Sequence, residues 1–262
     1  MTAPPVGLAT ALENQLKHPK SGVPALVAYL TAGFPDRSAF PDLLRSVARV
    51  ADAVEIGVPF TDPMADGITI QRTSRIALED GVTLRWILDM LESVGRLEAP
   101  VLLMSYVNPL LAYGWDRLTD RAAEARVAGL IVPDLPWEEC RPVRHRIEGA
   151  GMALVQLVSP LTPEPRLKTL CAASSGFVYA VTTTGTTGGE GNFAEIEDYL
   201  GRVSRHSAVP VCAGFGIRNA LHVRQLAQHL DGVVVGSALL EVIERGQDPV
   251  RFLRSLRPAP SS

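Results

Sequence analysis

Short apolar stretches alternate with longer amphipathic stretches along nearly the whole chain. The apolar stretches are almost continuous, a pattern typical of strands buried on both faces in a parallel sheet. The stretches between them carry apolar residues at helical spacing, such as Phe40, Leu43, Leu44 and Val47. This pattern predicts eight strands, at residues 24–30, 52–57, 101–106, 129–132, 152–158, 176–181, 209–213 and 232–235.

The number and order of these elements favour one fold. Eight strand-then-helix units in 262 residues is the count of a closed (β/α)8 TIM barrel, an α/β fold. A doubly wound open sheet is the alternative, but its first turn is usually G-x-G-x-x-G, whereas residues 31–36 here read Thr-Ala-Gly-Phe-Pro-Asp. Residues 8–16 predict an extra N-terminal helix that covers the bottom of the barrel. Without any linker, we expect a single barrel domain over 1–262, with loose ends at about 1–6 and 258–262.

Composition narrows the class of protein. Hydrophobic residues make up 47% of the chain and charged residues 20%, which is typical of a globular protein. A net charge of −3 without a basic run predicts no nucleic-acid partner, and no apolar stretch reaches the ~20 residues of a membrane span. The start of the chain lacks the pattern of a signal peptide, and three widely spaced cysteines fit a reducing compartment. We therefore expect a cytoplasmic protein without membrane contact.

The segment 52–67 carries the strongest chemical signal. Its apolar strand contains one carboxylate, Glu55, near the C-terminal end, and the Pro/Gly/Asp loop that follows supplies a second, Asp66. A buried carboxylate needs a partner or a function, because its removal from water is costly. Two acids at the mouth of a barrel predict general acid/base catalysis. The alternative is an ion pair that only stabilises the barrel.

The turns after the last three strands are rich in glycine. They read Thr-Gly-Thr-Thr-Gly-Gly at 184–189, Ala-Gly-Phe-Gly at 213–216 and Val-Gly-Ser at 235–237. Glycine lets backbone N–H groups converge on a ligand, and these loops form the usual phosphate site of such barrels. Ser237 adds a hydroxyl where a helix is predicted to begin. Tight turns without a ligand are the alternative, but three in succession favour a phosphorylated substrate.

Other residue types limit the chemistry further. The three lysines do not lie at strand ends, as an imine-forming enzyme would require, and the five histidines do not cluster at metal-ligand spacing. We therefore expect a reaction that uses neither a metal nor a cofactor in this chain. Apolar and aromatic residues near the strand ends are candidates for a substrate pocket, although for each one alone core packing is the better explanation: Tyr29, Phe60, Ile70, Tyr106 and Tyr179. Tyr179 is the best candidate, since its position predicts an inward-facing side chain with its hydroxyl near the mouth of the barrel.

The run from Glu55 to Gly67, Glu-Ile-Gly-Val-Pro-Phe-Thr-Asp-Pro-Met-Ala-Asp-Gly, resembles the hallmark segment of the tryptophan synthase alpha subunit family. Further similar segments lie in order along the chain, at 29–35, 104–109, 132–136, 214–217 and 231–237. The resemblance implies cleavage of indole-3-glycerol phosphate to indole and glyceraldehyde 3-phosphate. It also implies a pyridoxal-phosphate-dependent beta subunit as partner, in an alpha2-beta2 tetramer.

The resemblance also assigns roles to individual residues. It implies that Glu55 is the general acid/base and that Asp66 holds the indole N–H. It makes Tyr179 the pocket tyrosine. It implies that the substrate phosphate is bound by Gly188, Gly216, Gly236 and Ser237. It implies that loop closure and coupling to the beta subunit depend on Pro59, Asp62 and Thr187.

One segment departs from the family pattern. After the sixth strand the chain reads Thr-Thr-Thr-Gly-Thr-Thr-Gly at 182–188, where the family commonly has Ser-Arg/Thr-x-Gly-Val-Thr-Gly, and the loop is glycine-rich. Three hypotheses follow: the alpha subunit of a tryptophan synthase, a free-standing lyase that releases indole, and a non-catalytic activator of a beta subunit. The presence of both Glu55 and Asp66 speaks against the third hypothesis.

Overall fold

Parallel strands close into a barrel in sequence order, from β1 to β8 and back to β1. A computed structural model describes residues 7–20, 24–182, 193–214 and 216–257. The strands are β1 (Ala25–Thr31), β2 (Ala53–Gly57), β3 (Val101–Met104), β4 (Val127–Ile131), β5 (Ala153–Val158), β6 (Val178–Val181), β7 (Val211–Gly214) and β8 (Gly232–Val235). The predicted (β/α)8 barrel is therefore confirmed, since each strand lies where the apolar pattern places it.

Helices surround the barrel and bury their apolar faces on it. They are α1 (Leu8–Lys17), α2 (Phe40–Ala48), α3 (Ile68–Glu79), α4 (Leu84–Val94), α5 (Val107–Tyr113), α6 (Trp115–Glu124), α7 (Arg141–Gly149), α8 (Glu164–Ala173), α9 (Phe193–His206), α10 (Ala220–Leu226), α11 (Ser237–Glu244) and α12 (Pro249–Leu256). Side chains cap several of them: Thr83 accepts from the Trp86 N–H at 3.2 Å, and Asp248 caps α12. In the described ranges, none of these helices has the length and apolar character of a membrane span.

Four strand boundaries differ from the prediction by two residues, and several others by one. The sixth and seventh strands begin at Val178 and Val211 instead of residues 176 and 209. The third strand ends at Met104 instead of residue 106, because Tyr106 is the N-cap of α5. The fourth strand begins at Val127, two residues early, where Val127 pairs with Val101. Single-domain organisation stays a prediction, and both predicted loose ends lie outside the described residues.

Helix α1 covers the N-terminal end of the barrel, as predicted. Leu12 and Leu16 are fully buried there. The Ala9 N–H donates to the Gly151 carbonyl at 2.9 Å, and the Gly176 N–H donates to the Glu13 carboxylate at 3.0 Å. The helix is thus bound to the segments that lead into β5 and β6, which closes the bottom of the barrel.

A single carboxylate, Asp52, joins several elements at this closed end. It is fully buried and precedes β2. Its oxygens accept from the Lys20 N–H at 2.7 Å, the Leu26 N–H at 2.9 Å and the Arg257 guanidinium at 3.1 Å. With donors from the chain after α1, from β1 and from the end of α12, the charge is compensated and its role is structural.

We expect that Asp52→Asn destabilises the protein without touching the opposite end of the barrel. Removing one partner of a buried ion pair leaves the other charge uncompensated, which costs about 3–5 kcal/mol. Urea unfolding of the wild type and the variant measures this loss. The control is Asp89→Asn, which breaks an exposed pair with Arg121 and should cost less than about 1 kcal/mol. Equal losses of unfolding free energy in the two variants would show that the buried Asp52 contacts stabilise the protein no more than an exposed ion pair does.

Candidate active site

Glu55 lies inside the barrel near the C-terminal end of β2. Its Cα pairs with Tyr29 on β1 and with Leu102 on β3, so these side chains share one face of the sheet. The Glu55 side chain is fully buried, and within the part of the chain that the structure describes neither carboxylate oxygen has a hydrogen-bond partner. Burial, and after it the charge of Asp66, raises the pKa of Glu55 to about 8. Glu55 is therefore protonated at neutral pH, ready to act as an acid.

Asp66 lies in the loop between β2 and α3, near enough to Glu55 to influence its titration. Burial raises the pKa of Asp66, and the Tyr106 hydroxyl opposes this shift. The Tyr106 oxygen also accepts from the Ala65 N–H at 2.9 Å, and the Gln71 side-chain amide donates to the Asp66 carbonyl at 2.8 Å. The backbone around Asp66 is therefore held from both sides. The structure brings the two predicted acids to one mouth.

Tyr29 and Tyr179 bring hydroxyl groups to the same interior. Glu55 contributes to the raised pKa of both tyrosines, although burial is the main cause. A Cβ atom at Gly57 would overlap the Tyr29 hydroxyl, and one at Gly214 would lie 2.9 Å from the Tyr179 hydroxyl. Sequence reasoning missed these two glycines. Gly57 ends β2, the strand next to that of Tyr29, and Gly214 ends β7, the strand next to that of Tyr179. Because neither glycine has a side chain, each leaves room for the hydroxyl of the adjacent tyrosine.

Phe60 and Tyr106 form one wall beside this mouth. Their rings lie 5.4 Å apart, with Phe60 partly exposed and Tyr106 buried. Pro59 is buried in the same loop, whereas Asp62 is exposed and accepts a hydrogen bond from the Thr61 hydroxyl. Asp62 is thus accessible for the partner contact that the resemblance implies.

The candidate phosphate residues lie in the loops after β7 and β8. Ser237 is the first residue of α11, and Gly236 is its N-cap. A Cβ atom at Gly236 would contact Tyr29 at 3.5 Å, which places this turn against the Glu55 layer. Gly216 follows β7 with a φ of +58°, a backbone conformation that favours glycine. Gly188 and Thr187 lie outside the described residues.

Two hydroxyl groups at the rim of β1 were also missed. Thr31 ends β1 and Thr73 lies in α3, and both are fully buried. Their Oγ1 atoms are 2.7 Å apart. Thr31 shares a strand face with Tyr29 by alternation, which is a sequence signal, but nothing in the sequence points to its partner 42 residues away. Across the described ranges, His, Cys, Asp and Glu form no group of three that could hold a metal ion.

A closed (β/α)8 barrel with two interacting acids and glycine-rich turns at its C-terminal mouth defines a barrel enzyme of the acid/base type. Comparison with known proteins gives the family. Residues 15–256 match the family model for the tryptophan synthase alpha chain. The chain belongs to the tryptophan synthase alpha chain family.

Individual relatives agree with this membership. The tryptophan synthase alpha chain of Nitratidesulfovibrio vulgaris (strain Hildenborough) is 43% identical over 251 residues, which cover 94% of this chain and 98% of the relative. That of Bacillus cereus (strain AH820) is 42% identical over 228 residues, covering 86% and 88%.

Solved structures agree as well. The alpha subunit from Legionella pneumophila has a TM-score of 0.84 at 32% identity, covering 96% of this chain and 97% of that one. A chain of the tryptophan synthase α2β2 complex from Pyrococcus furiosus has a TM-score of 0.82 at 34% identity, covering 88% and 97%. The prediction of a lyase that serves as an alpha subunit in tryptophan biosynthesis is confirmed, and the two alternative roles are not favoured.

We expect Glu55 to make the stability of the protein depend on pH. In the unfolded chain its pKa is about 4.3, whereas in the folded protein it is about 8. Between these values the folded state binds more protons than the unfolded state. The free energy of unfolding therefore falls as the pH rises through this window, by at most about 1.4 kcal/mol per pH unit, and levels off above it.

Glu55→Gln isolates this contribution because it cannot titrate. Urea unfolding at pH 6 and pH 8 should show the wild type losing about 2 kcal/mol more than Glu55→Gln over that interval. Glu79→Gln, at an exposed helix position, is the matched control and should follow the wild type. Parallel pH curves for the wild type and Glu55→Gln would mean that Glu55 is ionised in the folded protein.

Proposed function

We propose that this chain cleaves indole-3-glycerol phosphate to indole and glyceraldehyde 3-phosphate, with Glu55 as the general acid/base and Asp66 as the partner of the indole N–H. The observation that carries the proposal is the fully buried Glu55 carboxyl, whose oxygens have no hydrogen-bond partner in the described ranges. A buried group without a hydrogen-bond partner is costly in a folded protein, and a substrate at the mouth supplies the missing partner.

The raised pKa of Glu55 suits the first step of this reaction. The protonated carboxyl donates its proton to indole C3, which places positive charge on the ring nitrogen. The Asp66 carboxylate, beside Glu55 at the same mouth, stabilises that charge through the N–H. Glu55, now ionised, takes the proton of the adjacent side-chain hydroxyl. The aldehyde C=O forms as the C–C bond breaks, its electron pair returns to the indole ring, and Glu55 is protonated again.

The substrate is proposed to lie with its ring toward Phe60, Tyr106 and Tyr179 and its phosphate toward the turns after β7 and β8. The adjacent, mutually tilted rings of Phe60 and Tyr106 support the first part, since flat apolar groups pack well on aromatic rings. Gly236 and Ser237 support the second part: the first N–H groups of a helix lack acceptors within the helix, and no side chain of the described residues caps α11 at Gly236. Gly216 and Gly188 are proposed as further phosphate contacts.

A beta subunit is the proposed partner, in an alpha2-beta2 assembly that holds pyridoxal phosphate on the beta side. The Pyrococcus furiosus neighbour is a chain of a tryptophan synthase α2β2 complex with mutual activation. In this chain Pro59, Asp62 and Thr187 are the proposed coupling residues. The exposed side chain of Asp62, in the loop that also carries Asp66, supports this assignment.

The cytoplasm is the proposed location. Cys140, Cys171 and Cys212 are all free and buried, which fits a reducing compartment better than a secreted protein with a disulfide framework.

Glu55→Gln should bind substrate and lose turnover. The amide keeps the shape of the side chain but cannot transfer the proton, so kcat for indole release should fall at least ~10²-fold while KM stays within a few-fold. Steady-state indole release measures both constants. Glu124→Gln, an exposed change on α6, should leave them unaltered. Near-normal turnover by Glu55→Gln would refute the assignment.

The partner beta subunit should activate this chain. Indole formation should rise at least ~10-fold on its addition, which needs only ~1.4 kcal/mol of preference for the active loop conformation. Asp62→Ala should remove most of this activation, whereas Asp42→Ala, at an exposed position of α2, should retain it. Rapid indole release by the isolated chain, unaffected by the beta subunit, would select the free-standing lyase instead.

A further inference from the structure

A buried hydrogen bond connects the end of β1 to α3. The Oγ1 atoms of Thr31 and Thr73 lie 2.7 Å apart, and both side chains are fully excluded from solvent. Thr73 Oγ1 also donates to the Ile70 carbonyl at 3.0 Å. A hydroxyl has one proton, so Thr73 accepts from Thr31 and donates to Ile70. The bond therefore has a fixed direction, from the barrel to the helix.

Helix α3 in turn holds the Asp66 backbone. Gly67, the residue after Asp66, is the N-cap of α3, and the Gln71 side chain of α3 donates to the Asp66 carbonyl at 2.8 Å. A displacement of α3 is therefore transmitted to Asp66. The other anchor of this loop is the Tyr106 hydroxyl, which accepts from the Ala65 N–H at 2.9 Å.

A second link ties α3 to α11, the helix that begins at Ser237. Arg72 and Glu244 form a two-pronged pair at 2.8 and 2.7 Å. Both side chains are more than one-third exposed, so this pair adds little to the position of the helix. The buried Thr31–Thr73 bond is the stronger constraint, since water does not compete for its partners.

We propose that Thr31 and Thr73 are positioning residues for the reaction: their hydrogen bond holds α3 on the end of β1 and thereby keeps the Asp66 carboxylate beside Glu55. The proposal rests on the proposed roles of Glu55 and Asp66. Both threonines are fully excluded from solvent, so their proposed action is through Asp66 and not on the substrate itself. Their loss weakens the stabilisation of charge that develops in the transition state, so kcat is affected more than KM.

The test compares Thr73→Val with Thr73→Ser. Valine keeps the branched shape and removes the hydroxyl, whereas serine keeps the hydroxyl. Thr73→Val should lower kcat for indole release about five- to tenfold, the range of one neutral hydrogen bond, with KM within about twofold. Thr73→Ser should retain kcat within about twofold. Loss of kcat in both variants, or in neither, would overturn the proposal.

A matched control separates positioning from stability. Thr119 is also a buried helical threonine, and its hydroxyl donates to the Trp115 and Asp116 carbonyls within α6, away from the mouth. Thr119→Val and Thr73→Val should lower Tm by similar amounts, but only Thr73→Val should lower kcat. Equal effects on kcat would mean that Thr73 acts through stability alone.

Two further measurements complete the test. The Thr31→Val/Thr73→Val double variant should have the kcat of the more affected single variant, whereas multiplied losses would show independent roles.

Amide exchange at residues 58–67 should accelerate in Thr73→Val, and unchanged exchange would contradict the proposal. Amide exchange needs no substrate. If the wild type released no indole, the proposed function would fail while the effect on the loop could still be measured.

Discussion

The structure depends on a carboxyl group that is buried and, among the described residues, has no hydrogen-bond partner. Asp52 immediately precedes β2 and Glu55 lies three residues later, within the strand, and both are fully excluded from solvent. Asp52 accepts from backbone and side-chain donors, whereas no donor among residues 7–20, 24–182, 193–214 and 216–257 reaches the Glu55 oxygens. Because an unsatisfied buried group opposes folding, the rest of the barrel must offset its cost. The two acids therefore differ in role: Asp52 stabilises the N-terminal end of the barrel, and Glu55 is a candidate for chemistry at the C-terminal end.

The barrel supplies that offset through continuous burial on all sides of the sheet. Every residue of β1, β2, β4 and β8 is buried. At the N-terminal end, α1 and the Asp52 cluster satisfy polar groups and close the layer. At the C-terminal end, Gly57 and Gly214 have no side chains, which leaves room for the Tyr29 and Tyr179 hydroxyls beside them. Stability is thus concentrated at one end, and the other retains space and an available proton.

Local patterns explain which parts of this arrangement could be predicted. Apolar runs determine the strands, and an acid within such a run marks Glu55, so the barrel and its principal site residue follow from short-range signals. The end of β3 was misplaced because Tyr106 starts a helix despite its strand-like neighbours. Contacts such as Thr31 with Thr73, or the Tyr29 hydroxyl over Gly57, join residues from different elements. No periodicity in one segment specifies such a pair, because the fold must first bring the elements together.

The position of the loop that carries Asp66 and the acidity of Glu55 are physically coupled. Asp66 contributes to the raised pKa of Glu55, so any movement of the 58–67 loop changes how firmly Glu55 holds its proton. That loop is attached through Tyr106 and Gln71, and through α3 to the buried Thr31 hydroxyl. The closer the Asp66 carboxylate lies to Glu55, the higher is the pKa of Glu55. The position of this loop and the acidity of Glu55 are therefore linked, and under the proposed mechanism a partner that biases the loop also adjusts the proposed acid.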